Sequence, residues 1–130
     1  MGTCTRLEYA KFRIKKENIP KAFAAMRAFV DADLAQCVKN KWRAPTCPTP
    51  DKVLVATTLA EQVRPWSWVL DADGDGNVTA IRFAGEKEGA EDDLFQVLGP
   101  FVEAGSVVEM RNENGWRSLW QFDGKECRKS

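Results

Sequence analysis

The stretch whose reading decides the fold is "VLDADGDGNVTAIRF", Val69 to Phe83. Asp71, Asp73 and Asp75 recur at every second position and Gly76 follows at once. That spacing opens the calcium loop of helix-loop-helix proteins, with Asn77 placed to offer its carbonyl at position seven. Position twelve should then hold a bidentate glutamate, but the count lands on Arg82, a cation in place of a chelating anion. The flanks "WSWVL" and "VTAIRF" alternate with period two and are rich in residues that favour extended backbone. The segment therefore reads as a β-hairpin with an acidic tip, in which Asp-Gly and Gly-Asn supply the turn. No cofactor is expected. The alternative is weakly held Ca²⁺ on Asp71, Asp73, Asp75 and Asn77.

Working outward, "EYAKFRIKK" (8–16) sets Tyr9, Lys11, Arg13 and Lys15 on one side and Ala10, Phe12 and Ile14 on the other. This is a half-buried strand with a basic outer face. "ENIPKAFAAMRAFVDADLAQC" (17–37) spaces Ile19, Phe23, Met26, Val30, Leu34 and Cys37 by three and four, the apolar stripe of a long helix. Pro45, Pro48 and Pro50 make a loop of the next segment. Thr49-Pro50-Asp51 then starts a second helix through "DKVLVATTLAEQV" (51–63). Beyond the acidic hairpin, Glu91, Asp92 and Asp93 suit the start of a short helix, which Gly99-Pro100 ends. "SVVEMR" and "WRSLWQF" flank "NENG", a second hairpin. The predicted order is βααββαββ in one α+β domain, residues 1–130. Five mainly antiparallel strands form a sheet with two or three helices on one face. The arrangement expected is ferredoxin-like with an added edge strand.

Composition is that of a globular chain, 44% hydrophobic and 29% charged with zero net charge. Residues 1–50 carry ten Lys/Arg against four Asp/Glu, and residues 51–130 carry nine against fifteen. Such asymmetry marks a partner surface or two halves that neutralise each other. No apolar run approaches the ~20 residues that span a bilayer. With no signal-type stretch near the start, a cytoplasmic protein without membrane contact is expected. There is no histidine, and Cys4, Cys37, Cys47 and Cys127 form no C-x-x-C pair, which disfavours zinc and thiol catalysis. No nucleophile elbow, phosphate loop or dinucleotide fingerprint is present. A carboxylate-dependent hydrolase built on Asp71, Asp73 or Asp75 with Glu109 is the enzymatic alternative.

Two features point to binding. Five tryptophans are many for this length, and Trp116 and Trp120 on the last hairpin are candidates for an aromatic platform. "GEKEGAEDD" (85–93) is densely acidic, and Glu86, Glu88, Glu91, Asp92 and Asp93 are candidates for docking a basic partner. The basic half lacks the patterning of nucleic-acid modules, so a protein partner is expected. A homodimer through an exposed sheet face is a further arrangement open to the chain.

The pattern "DADGDGNVTAIRFAGEKEG", continued through "DDLFQVLGPFVEAGSVVEM" to "LWQFDGKEC", resembles small uncharacterised proteins of bacteria and their phages or mobile elements. "YAKFRI" and "ENIPKAF" are similar too, and the main match covers roughly residues 66–127. The resemblance implies a stand-alone α+β accessory protein, inhibitor- or immunity-like, and brings no activity or catalytic residue with it.

Overall fold

A computed structural model describes residues 4–86 and 89–130. Its first strand, β1 (Thr5–Lys11), leads through a short 3-10 turn into α1 (Ile19–Lys39). Two short helices follow, α2 (Pro50–Val55) and α3 (Leu59–Val63), then the hairpin β2 (Trp68–Ala72) and β3 (Val78–Phe83). Helix α4 (Glu91–Leu98) connects to three more strands: β4 (Val107–Asn112), β5 (Arg117–Phe122) and β6 (Cys127–Lys129).

The protein is α+β with antiparallel pairing throughout, but the expected five-stranded sheet is divided. Four strands pair in the order β1-β4-β5-β6, and β2-β3 form a separate two-stranded sheet. The hairpin packs beside β1, and backbone hydrogen bonds tie the two segments at the ends of the junction. Ile14 and Val78 exchange backbone bonds of 3.0 and 2.9 Å, and the Thr5 amide donates to the Glu86 carbonyl at 2.7 Å. A bulge between Leu7 and Tyr9 shifts the register of β1 against β4. Such a bulge adds twist and interrupts pairing locally, and no ladder joins β1 to β3.

Two other expectations are corrected. The single helix expected over 51–63 is broken at Ala56–Thr58, because Thr58 caps a new helix: its hydroxyl accepts from the Glu61 amide at 3.1 Å. Thr58-Leu59-Ala60-Glu61 is a capping box, with the Glu61 carboxylate reaching back to the hydroxyls of Thr57 and Thr58. The strand β6 was not expected. It forms because the Asp123 carboxylate accepts the amides of Lys125 and Glu126 while Gly124 takes a positive φ of 92°, turning the chain back onto β5.

The core lies on one side of the four-stranded sheet. Phe12, Ile14, Val108, Met110, Trp120 and Phe122 are buried there with Met26 and Val30 of α1 and Leu94, Phe95 and Leu98 of α4. Phe95 is the hub, with its ring centroid 5.1 Å from Trp120, 5.3 Å from Trp68 and 5.9 Å from Phe122. Tilted and edge-on ring contacts of this kind add to the area they bury. No helix among the described residues is long and apolar enough to cross a membrane.

Candidate interaction surface

Because β1, β4 and β5 bury alternate residues against the helices, their other residues form an open face. Register places these in three rows. Tyr9, Glu109 and Leu119 form the central one. Arg6, Arg111 and Arg117 lie on one side of it. Lys11, Val107 and Gln121 lie on the other and continue to Arg128 on β6. Tyr9 is 55% exposed, midway along the edge strand β1 of this face.

Its charges are interleaved rather than uniform. Directly opposed like charges are unfavourable across strands, and the arginine row is relieved by two carboxylates. Glu8 lies 3.0 Å from Arg6 and 4.0 Å from Arg111, and Glu109 lies 3.7 Å from Arg111. At the ends, Arg13 pairs with Glu103 and Arg128 with Glu126, both at 3.1 Å. Exposed pairs of this kind are each worth roughly 0.2–1 kcal/mol, so they order the surface more than they stabilise the fold. A phosphate chain laid over Tyr9 would meet Glu8 and Glu109. A protein surface with matching interleaved charges would not.

The residues singled out from the sequence are dispersed by the fold. Trp116 is 75% exposed, in the turn between β4 and β5. Trp120 is fully buried, so its ring belongs to the core and not to a surface platform. Its indole N–H donates to Asp92 at 3.0 Å, and the Lys129 ammonium lies 5.4 Å above the ring. Glu91 is buried as well, accepting from the Gly89 amide at 2.7 Å, because its side chain closes the loop that enters α4. Glu86, Asp92 and Asp93 remain exposed, and Glu88 lies outside the described residues. Trp66 and Trp68 are core residues, and among the described residues their indole nitrogens have no hydrogen-bond partner.

The acidic tip is a hairpin whose carboxylates are engaged internally. Asp71 accepts two bonds from the Arg82 guanidinium, at 2.8 and 3.0 Å, so the residue that breaks the calcium pattern is the partner of its first aspartate. Asp73 closes the turn by accepting the amides of Asp75 at 2.9 Å and Asn77 at 3.0 Å and the Asn77 side-chain amide at 3.1 Å. Asn77 in turn accepts from the Lys16 amide at 2.9 Å. The Arg82 bonds hold the Asp71 carboxyl below the usual range, and the Asn77 side-chain amide does the same for Asp73. Among the described residues, no three acidic or thiol groups converge as metal ligands.

Glu109 is not brought to Asp71 either. Glu109 lies on β4 of the four-stranded sheet beside Arg111, whereas Asp71 lies on β2 of the separate two-stranded sheet and is engaged by Arg82. The two buried thiols are quiet too. Burial, with a smaller contribution from Asp33, pushes Cys47 up to about 11, and burial with Asp92 pushes Cys127 up to about 12.

Tyr9 and its row were marked in the sequence only as the basic outer side of a strand. The signal that could have singled them out is the bulge-prone, charge-rich alternation of "RLEYAKFR" (6–13), which leaves one large aromatic among ions. No family model, curated protein or solved structure matches the chain.

Proposed function

We propose that the protein is a non-enzymatic binding module that docks a protein partner on the open sheet face around Tyr9. The observation that carries this reading is a half-exposed tyrosine on the edge strand of a helix-free sheet face, beside interleaved arginines and carboxylates. Tyrosine gives large contact area at low entropic cost and is enriched in interface hot spots. Interleaved charge selects the partner and its register. The four-stranded face measures about 20 Å by 20 Å from strand spacing and rise. That is the small end of specific interfaces, so the complex is of the transient kind.

An accessory role in the cytoplasm, inhibitor- or immunity-like and drawn from a phage or mobile-element gene pool, fits a compact domain of this sort. The frame of the reading is a ferredoxin-like sheet. The contacts at both ends of the β1–β3 junction support reading β2-β3-β1-β4 as that order across the two sheets, extended by β5 and β6.

The test compares two exposed apolar side chains on opposite sides of the molecule in affinity recovery from extracts of the native cells. Truncating a hot-spot aromatic costs about 2 kcal/mol or more, roughly thirtyfold in affinity. A protein recovered by the parent chain and by Val38→Ala, but lost with Tyr9→Ala, supports the reading. Recovery indifferent to Tyr9→Ala overturns it.

A further inference from the structure

The open face continues past the end of β1 into a basic groove. From Lys11 to Lys15 the chain alternates strictly, with Phe12 and Ile14 buried and Lys11, Arg13 and Lys15 exposed. Ile14 is held extended by its bridge to Val78, and Lys15 has φ −66° and ψ 143°. Two adjoining depressions, of about 210 and 280 Å³, run along this stretch and share Glu103 and Ala104. The first is lined by Lys11 and Arg13, with Thr79 contributing a hydroxyl group and the buried Ser106 accepting from the Arg13 amide at 3.2 Å, and the second by Lys15. Three cations thus face one carboxylate, Glu103, which Arg13 already engages at 3.1 Å. Lys11 and Lys15 have no ion pair among the described residues.

We infer that this groove holds an extended acidic segment of the protein partner, with carboxylates at alternate positions facing Lys11, Arg13 and Lys15. The inference rests on the proposed docking role and names the chemistry of the occupant. Residues two apart in extended chain repeat at about 6.6 Å. A peptide strand with glutamate at every second position has the same repeat, so its carboxylates meet the three cations in register. Thr79 is exposed between the walls as a polar group able to meet a peptide backbone. Glu8 and Glu109 stand on the approach from Tyr9, and Glu103 interrupts the positive charge within the groove itself. Both features favour a peptide over a single-stranded nucleic acid, which is bound through stacking and uniform positive charge.

The experiment measures fluorescence anisotropy of a labelled alternating Glu-Ser peptide of about ten residues with the intact protein. A peptide of the same composition with its glutamates clustered and a single-stranded oligonucleotide of equal charge serve as comparisons. The inference predicts saturable binding of the alternating peptide that weakens at high salt, as exposed charge pairs do. It predicts tighter binding of that peptide than of either comparison, and a loss of about two- to thirtyfold in the Lys11→Gln/Lys15→Gln double variant. Absence of binding, equal binding of the clustered peptide, tighter binding of the oligonucleotide, or indifference to the double variant each overturns it. These failures are distinguishable from failure of the docking role, because dependence of partner recovery on Tyr9 is measured separately. A Tyr9-dependent partner that ignores the lysines removes the acidic segment and leaves the docking role standing.

Discussion

Asp33 shows how one side chain organises a segment that has no regular structure. It is 4% exposed on α1, and its carboxylate accepts from the Thr46 amide at 2.8 Å, the Cys47 amide at 3.1 Å and the Arg43 guanidinium at 2.9 Å. Arg43 also donates to the Asp33 carbonyl and the Thr46 hydroxyl, so the proline-rich loop is fastened to the helix at several points. Replacing the carboxylate strands two amides and half of an ion pair, at a cost of about 2–3 kcal/mol. Asp33→Ala is therefore expected to lower stability by that amount in urea unfolding. A change within the ~0.5 kcal/mol usual for surface substitutions would contradict the assignment. Asp73 carries a different prediction. Its folded-state pKa is depressed, so the stability it contributes is present above the ordinary carboxylate range and is lost as pH falls through the lowered folded value. Carboxyl-detected NMR should show Asp73 titrating at lower pH than an unperturbed aspartate. Asp73→Ala should remove the acid-side loosening of the hairpin turn.

At the scale of elements, alternation and caps were readable, while choices that depend on distant partners were not. The hairpin reading of the acidic stretch follows from strand-type flanks and Arg82, and the ion pair with Asp71 gives its physical reason. The stripe expected on α1 holds at its centre, where Met26 and Val30 are buried with Ile19 and Leu34 packed against the core, but Ala22 and Asp33 are buried as well while Phe23 and Cys37 are only partly covered. The helix is turned so that Asp33 meets the loop donors, and hydropathy carries no sign of donors supplied ten or more residues away. Helix α4 is oriented by Asp92, which accepts from the buried Trp120 indole and lies 3.1 Å from Lys129. Asp92→Ala leaves a buried N–H unpaired and should cost about 1–2 kcal/mol. Asp92→Asn keeps an acceptor and should recover most of that loss, because the exposed ion pair with Lys129 contributes little. Equal losses in the two variants, by thermal unfolding followed through tryptophan fluorescence, would show that the indole bond is not what matters.

For the whole molecule, class and antiparallel pairing were legible, but the division of the sheet and the location of the exposed aromatics were not. Period-two patterning separates the two sides of a strand without saying which side the helices will cover. Hence Trp120, a candidate for the surface, lies under α4, while Tyr9 stands in the open among arginines. The acidic segment before α4 likewise divided, with Glu91 turning inward and its neighbours Asp92 and Asp93 outward. What remains outside is a helix-free face with an exposed tyrosine on its edge strand and a basic groove at the end of that strand. The most direct measurement of its role places a photo-crosslinking amino acid at Tyr9 and, in a second variant, at Val38, which is 82% exposed on α1. Irradiation in native extracts is predicted to join a partner protein covalently to the Tyr9 position and not to the Val38 position. Capture from Val38 alone, or equally from both, would contradict the sheet face as the working surface.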